Sequence, residues 1–170
     1  VQAGTNDTET IERLRMVRKT YGSVIKVFKK NDSQILNKNN SQIKKDLFSS
    51  ECINIFAKYG YVVTENRLTI CRDFKTEYGI EALYICAESQ YIESQYIITD
   101  DMLLDFTAYD NNFQVQCVRI LIANKYSMSL ERSSVCRKFH SQKALNNLSV
   151  LASNKRAISI QALWILSELE

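Results

Sequence analysis

Apolar residues first recur at Ile11, Leu14, Val17, Tyr21, Ile25 and Phe28, with Arg13, Arg15, Arg18, Lys19, Lys26, Lys29 and Lys30 on the other face. A spacing of three or four predicts an amphipathic helix of about five turns. Thr8 or Thr10 starts it, with Glu9 and Glu12 near its positive end. Residues 31–40 are polar and read as a loop. Residues 44–59 form the next predicted helix, which turns Leu47, Phe48, Cys52, Ile55 and Phe56 inward. Gly60 then ends it in a left-handed conformation.

Beyond residue 60 the pattern repeats. Residues 68–88, 103–123 and 148–168 align without gaps. Leu68, Leu103 and Leu148 coincide, as do Cys71, Phe106 and Leu151. Further along, Tyr78, Phe113 and Ile158 coincide, then Ile80, Val115 and Ile160. The columns lie 35 and then 45 residues apart. Self-similarity of this size predicts a solenoid, in which each unit buries its apolar face against the next. In the last block, Leu145, Leu148 and Leu151 share one helical face over 144–152. Residues 153–156 make a turn, and 157–169 form the following helix. Val135 and Phe139, one turn apart, suggest a short leading helix over 133–141 and hence three helices per unit. Residues 61–63 and 90–99 are β-prone, but the repeat outweighs them because one unit's pattern predicts the next.

The closing stretch carries a family resemblance. Armadillo repeats have a leucine pair, a polar turn and then a stretch reading Ala-Leu-Trp-x-Leu-Ser. Ala162, Leu163, Trp164, Leu166 and Ser167 match that stretch, and the segments from Glu81 and from Gln116 match it more loosely. The chain thus resembles a divergent armadillo/HEAT-like protein. The resemblance implies an all-α, right-handed α-solenoid of three-helix repeats. Residues 1–45 would be a basic N-terminal helical cap and polar loop, and 46–170 about three units of one continuous domain. It also implies a concave groove lined by Glu81, Tyr84, Glu88, Gln116, Arg119, Gln161, Trp164 and Glu168.

Composition agrees with helices. There is no proline and there are four glycines among 170 residues, so little interrupts a helix and little supplies β-turns. Net charge is only +3, but it is segregated. Residues 1–45 carry ten Lys/Arg against four Asp/Glu, 46–110 carry four against twelve, and 111–170 carry eight against three. Oppositely charged surface patches are expected. No apolar run reaches the roughly 18–20 residues of a membrane span. Cys71, Cys86 and Cys117 fall on apolar columns. The five cysteines, Cys52 and Cys136 included, read as small buried thiols in a reducing compartment, which points to an intracellular, cytoplasmic or nuclear protein.

Candidate chemistry is sparse. A single histidine, His140, rules out multi-histidine metal sites and most histidine-based triads, and it reads as a solvated or packing residue. No phosphate-binding loop occurs. Asp100, Asp101, Asp105 and Asp110 lack the glycine turn of a hard-cation loop, and Asp100 or Asp101 reads as a helix cap. Cys136, near Arg137, Lys138 and His140, is the one cysteine in a basic setting. No catalytic residue, metal or cofactor is assigned. The expected function is a non-enzymatic scaffold or adaptor that holds a peptide or helix of another protein in the groove. Arg119 would meet a carboxylate, and Tyr84 and Trp164 would supply apolar area. The alternative is nucleic-acid binding through the basic first helix. An uncapped solenoid end also offers a face to a second copy.

Overall fold

The computed structural model describes the backbone of residues 37–93, 98–154 and 157–170 and the side chains of 42–91, 98–154 and 157–170. The predicted basic helix, with Arg13, Arg15, Arg18, Lys19, Lys26, Lys29 and Lys30, lies outside the described residues, as does most of the predicted loop over 31–40.

The described residues form helices and no strands. They are α1 (Asn37–Lys58), α2 (Glu65–Cys71), α3 (Glu77–Glu93), α4 (Asp100–Phe106), α5 (Asn112–Ala123), α6 (Leu130–Cys136), α7 (Gln142–Ser153) and α8 (Ile160–Ser167). Long and short helices alternate. The long helices α1, α3, α5 and α7 pack side by side in one layer, and the short helices α2, α4, α6 and α8 in the other. The period therefore holds two helices rather than the expected three.

Each short helix opens on a hydroxyl. Thr64, Thr99, Ser129 and Ser159 accept a bond from the backbone N–H three residues on. A side-chain cap at this point satisfies one of the donors left over by the first turn. The caps fall 35, 30 and 30 residues apart, and they set the true register. Asp100 and Asp101, expected as caps, are instead the first two residues inside α4. There they lie near the positive end of the helix.

The turn from short to long helix is closed by a buried ring and by side-chain hydrogen bonds. Phe74, Tyr109 and Phe139 fill it with no exposed surface. At about 1.5–3 kcal/mol for each fully buried large apolar side chain, this column is a principal source of stability. Hydrogen bonds then tie each turn to the next. Thr76 Oγ1 donates to the Tyr109 carbonyl, Gln114 Nε2 to the Arg137 carbonyl at 2.6 Å, and Ser141 Oγ to the Leu169 carbonyl. Gln114 also completes a capping box with Asn111. Tyr109 adds a bond from its buried hydroxyl to the Ser133 carbonyl at 2.8 Å. Burial pushes this phenol well above its ordinary pKa, so it stays a donor.

The opposite turns share a second device. Gly60 (φ 75) and Lys125 (φ 66) both adopt the left-handed conformation after a long helix, as expected for Gly60. In both, the next residue's N–H reaches back five positions, from Tyr61 to Phe56 and from Tyr126 to Leu121, each at 2.9 Å. This is the Schellman closure of a helix end. Arg67 and Arg132, each three residues past its cap, brace the same loops by donating to the Val62 and Ser127 carbonyls.

The reading of all five cysteines as thiols is corrected. Cys52–Cys71 and Cys117–Cys136 are disulfides, with Cα atoms 5.6 and 5.4 Å apart, and among the described residues only Cys86 is a free, buried thiol. Apolar periodicity marks a cysteine as inward-facing. It does not reveal that two inward columns from successive helices meet.

Two substitutions test this architecture. A Cβ on Gly79 would lie 2.5 Å from the Phe106 carbonyl oxygen of the adjoining unit. Gly79→Ala should therefore cost about 1–3 kcal/mol in denaturant unfolding. Lys125→Gly should stabilise by up to about 1 kcal/mol, because it removes a side chain from a left-handed position. An unchanged midpoint for both variants would contradict the described turns.

Candidate interaction surface

The eight predicted groove residues do not share one surface. Glu81, Tyr84 and Glu88 lie on α3 and are buried. Gln116 and Arg119 lie on the neighbouring long helix α5 and are half-buried. Gln161, Trp164 and Glu168 lie on or just past α8, in the short-helix layer, and are exposed. The cause is a phase error in the third block. Residues 68–88 and 103–123 run from a short helix into a long one, whereas 148–168 run from a long helix into a short one. In the register of the caps, Asn146, Ser149 and Ser153 of α7 take the places of Glu81, Tyr84 and Glu88.

Arg119 is engaged within the protein. Its Nη2 lies 2.8 Å from Glu81 Oε1, which joins α3 to α5. Glu81 is almost fully buried and the arginine side chain is 29% exposed. A carboxylate in such a place depends on its cation, since charge removed from water without a partner costs several kcal/mol. At the edge of the short-helix layer, Asp100 accepts from Asn66 at 2.7 Å and from Arg67 at 2.9 Å. These two bonds hold its carboxyl below the usual aspartate range. The stability they add is present above the ordinary aspartate pKa and is lost as the pH falls through the lowered one. Asp105 sits between α4 and α6, where it accepts from Ser133 and pairs with Arg137 at 3.4 Å.

Features considered for catalysis have structural places. Cys136 is fully buried and closed with Cys117, so it offers no nucleophile in this state. His140 is exposed, with Nδ1 3.0 Å from the Lys138 carbonyl. A shallow cleft of about 480 Å³ is lined by Gln42, Lys45, Asp46, Ser49, Ser50 and Arg72. No group of three or more His, Cys, Asp or Glu that could hold a metal occurs among the described residues. No described helix is long and apolar enough to cross a membrane.

The surface that stands out is apolar. Of the nine large apolar side chains exposed among the described residues, five lie on α7 and α8: Val150, Leu151, Ile160, Trp164 and Ile165. Comparison by register shows why this is unusual. Ile165 occupies the column of Ile70, Asp105 and Val135, all buried, yet it is 65% exposed. Leu151 occupies the column of Cys86 and Leu121, which are 0% and 1% exposed, yet it is 38% exposed. The columns that pack inside the inner units are bare here.

Trp164, beside Ile165, is 43% exposed. Its Nε1 donates to Glu168 Oε1 at 3.1 Å, and Lys138 Nζ stands 4.2 Å from the ring centroid. The cation over the ring and the carboxylate on its N–H orient the indole and leave it half-exposed. Trp164 and Glu168, two of the predicted groove residues, are exposed here together with Val150, Leu151 and Ile165, which the groove reading did not include. The missed signal was the spacing of the Thr and Ser caps, which exposes the correct columns. Comparison with protein-family models, curated proteins and solved structures returns no match, so any functional reading must come from these residues.

Arg119→Glu should act on the fold. Placing a second carboxylate against Glu81 should cost about 3 kcal/mol, measured by urea unfolding. Stability equal to wild type would show that the pair does not join α3 to α5.

Proposed function

We propose that the protein is a non-enzymatic, repeat-built scaffold that docks a helical segment of another protein on the α7/α8 face. The observation that carries this reading is Trp164, a half-exposed indole oriented by Lys138 and Glu168 beside the exposed Ile165. Apolar side chains exposed on two contacting helices suit the apolar stripe of an amphipathic helix, which offers anchors at i, i+3, i+4 and i+7. Clustered exposed apolar residues of this kind mark interaction sites more often than isolated ones do. Trp164 is the natural anchor, since tryptophan is over-represented among residues that dominate binding energy.

The same geometry supports a reading of the repeat class. Two antiparallel helices per 30 to 35 residues fit the two-helix repeats, ankyrin and tetratricopeptide among them, better than a three-helix armadillo unit. The threonine or serine that opens each unit is in keeping with the ankyrin pattern. In this reading the armadillo-like stretch around Trp164 reflects an amphipathic helix common to many helical stacks.

The test uses the single tryptophan of the chain. Bait carrying wild-type sequence should capture a partner that Ile165→Glu and Trp164→Ala baits, with helicity intact by circular dichroism, bind at least about thirtyfold more weakly. Purified partner should shift the Trp164 emission to the blue. Equal capture by all three baits with unchanged emission overturns the proposal. A blue shift with protein concentration alone assigns the face to a second copy instead.

A further inference from the structure

The two disulfides occupy one structural position twice. Cys52 and Cys117 each lie twelve residues before a cap, Thr64 and Ser129, and Cys71 and Cys136 each lie seven residues after it. Each bridge therefore joins a long helix to the next short helix across the turn between units. At the intervening junction the same two columns hold Ala87 and Phe106, both fully buried. There a small and a large apolar side chain fill the space that two cysteines fill elsewhere. The columns thus meet in the core with or without sulfur, so a bridge can be closed or open there in the same fold.

We propose that Cys52–Cys71 and Cys117–Cys136 are a paired redox lock, closed in an oxidising compartment and opened by reduction without loss of the fold. Closure of each bridge is thiol–disulfide exchange with a low-molecular-weight disulfide. All four of these cysteines are buried, so exchange runs through a local opening that brings the pair to solvent. One cysteine thiolate then attacks that disulfide and expels one of its thiols. The second cysteine thiolate then attacks the mixed disulfide and expels the other thiol. Two protein thiols are oxidised to one disulfide, and one external disulfide is reduced to two thiols. Opening is the reverse.

Three features suit a lock with two stable settings. Reduced, each pair leaves two small, buried thiols, and cysteine packs as a small apolar residue. Helix caps, turn bonds and the Phe74–Tyr109–Phe139 column do not involve sulfur. Cys86 has no cysteine within bonding reach in this fold and remains a buried thiol, pushed well above the ordinary range. Closed bridges belong to oxidising surroundings. The proposal therefore replaces the expected cytoplasmic or nuclear setting with a secretory, extracellular or comparable one.

The experiment traps thiols at lysis of the source cells with an alkylating agent and counts them by mass spectrometry. One alkylated residue, Cys86, and two intact disulfides with the stated pairing are expected. Five alkylated cysteines, or a different pairing, overturn the proposal. Purified oxidised protein should melt about 6–12 °C lower for each bridge reduced, with its helical circular dichroism at 20 °C unchanged. The Cys52→Ala/Cys71→Ala and Cys117→Ala/Cys136→Ala proteins should each lose about half of that response. A melting point that ignores reductant, or helicity that collapses on reduction, contradicts a lock.

Discussion

The structure depends on the turn between short and long helix being buried and bonded to its neighbour. Phe74, Tyr109 and Phe139 lose all contact with water there, and Thr76, Gln114 and Ser141 bind the carbonyls of the following turn. An isolated two-helix unit would leave its ring on one side exposed and its last carbonyls unpaired. Stacking removes both costs at once, so neighbouring units are obligatory. The constraint also fixes the rise from unit to unit. That rise brings α3 against α5 and α4 against α6, aligns Glu81 with Arg119, and places Asp105 beneath Ser133 and Arg137.

A fixed rise means that equivalent residues have equivalent surroundings, and departures from equivalence become informative. Gly60 and Lys125 end their helices in the same left-handed conformation although only one of them is a glycine. Cys52–Cys71 and Cys117–Cys136 use one pair of columns twice, with Ala87 and Phe106 between them. Leu151 and Ile165 break equivalence through exposure rather than through residue type. They carry the core pattern into solvent beside Trp164.

The helical class was legible from spacing, and so were the inward residues of α1 and the left-handed Gly60. The phase of the repeat was not. Leucines recur at helical spacing in both layers, because both layers bury a face. A gapless match of apolar columns therefore aligned the entry of two hairpins with the exit of a third. The polar residues held the missing information. Thr64, Thr99, Ser129 and Ser159 mark the start of every short helix, and hydroxyl caps are position-specific in a way that leucines are not. For the candidate surface, Trp164 and Glu168 were legible as an aromatic and a carboxylate one turn apart. The engagement of Arg119 by Glu81 required the stacking of α3 on α5, and the cysteine pairing required two columns to meet. Neither is visible along a single helix.

The central claim is that, among the described residues, the stack is well packed and the α7/α8 face is under-covered. Native-state hydrogen exchange on the isolated protein tests it most directly, since protection follows local burial and bonding. The account predicts the strongest protection in α3 and α5 and at the Tyr109 and Phe139 amides, and the weakest in α8. Protection of α8 equal to that of α3 would contradict it, because the face around Ile165 and Trp164 would then already be closed.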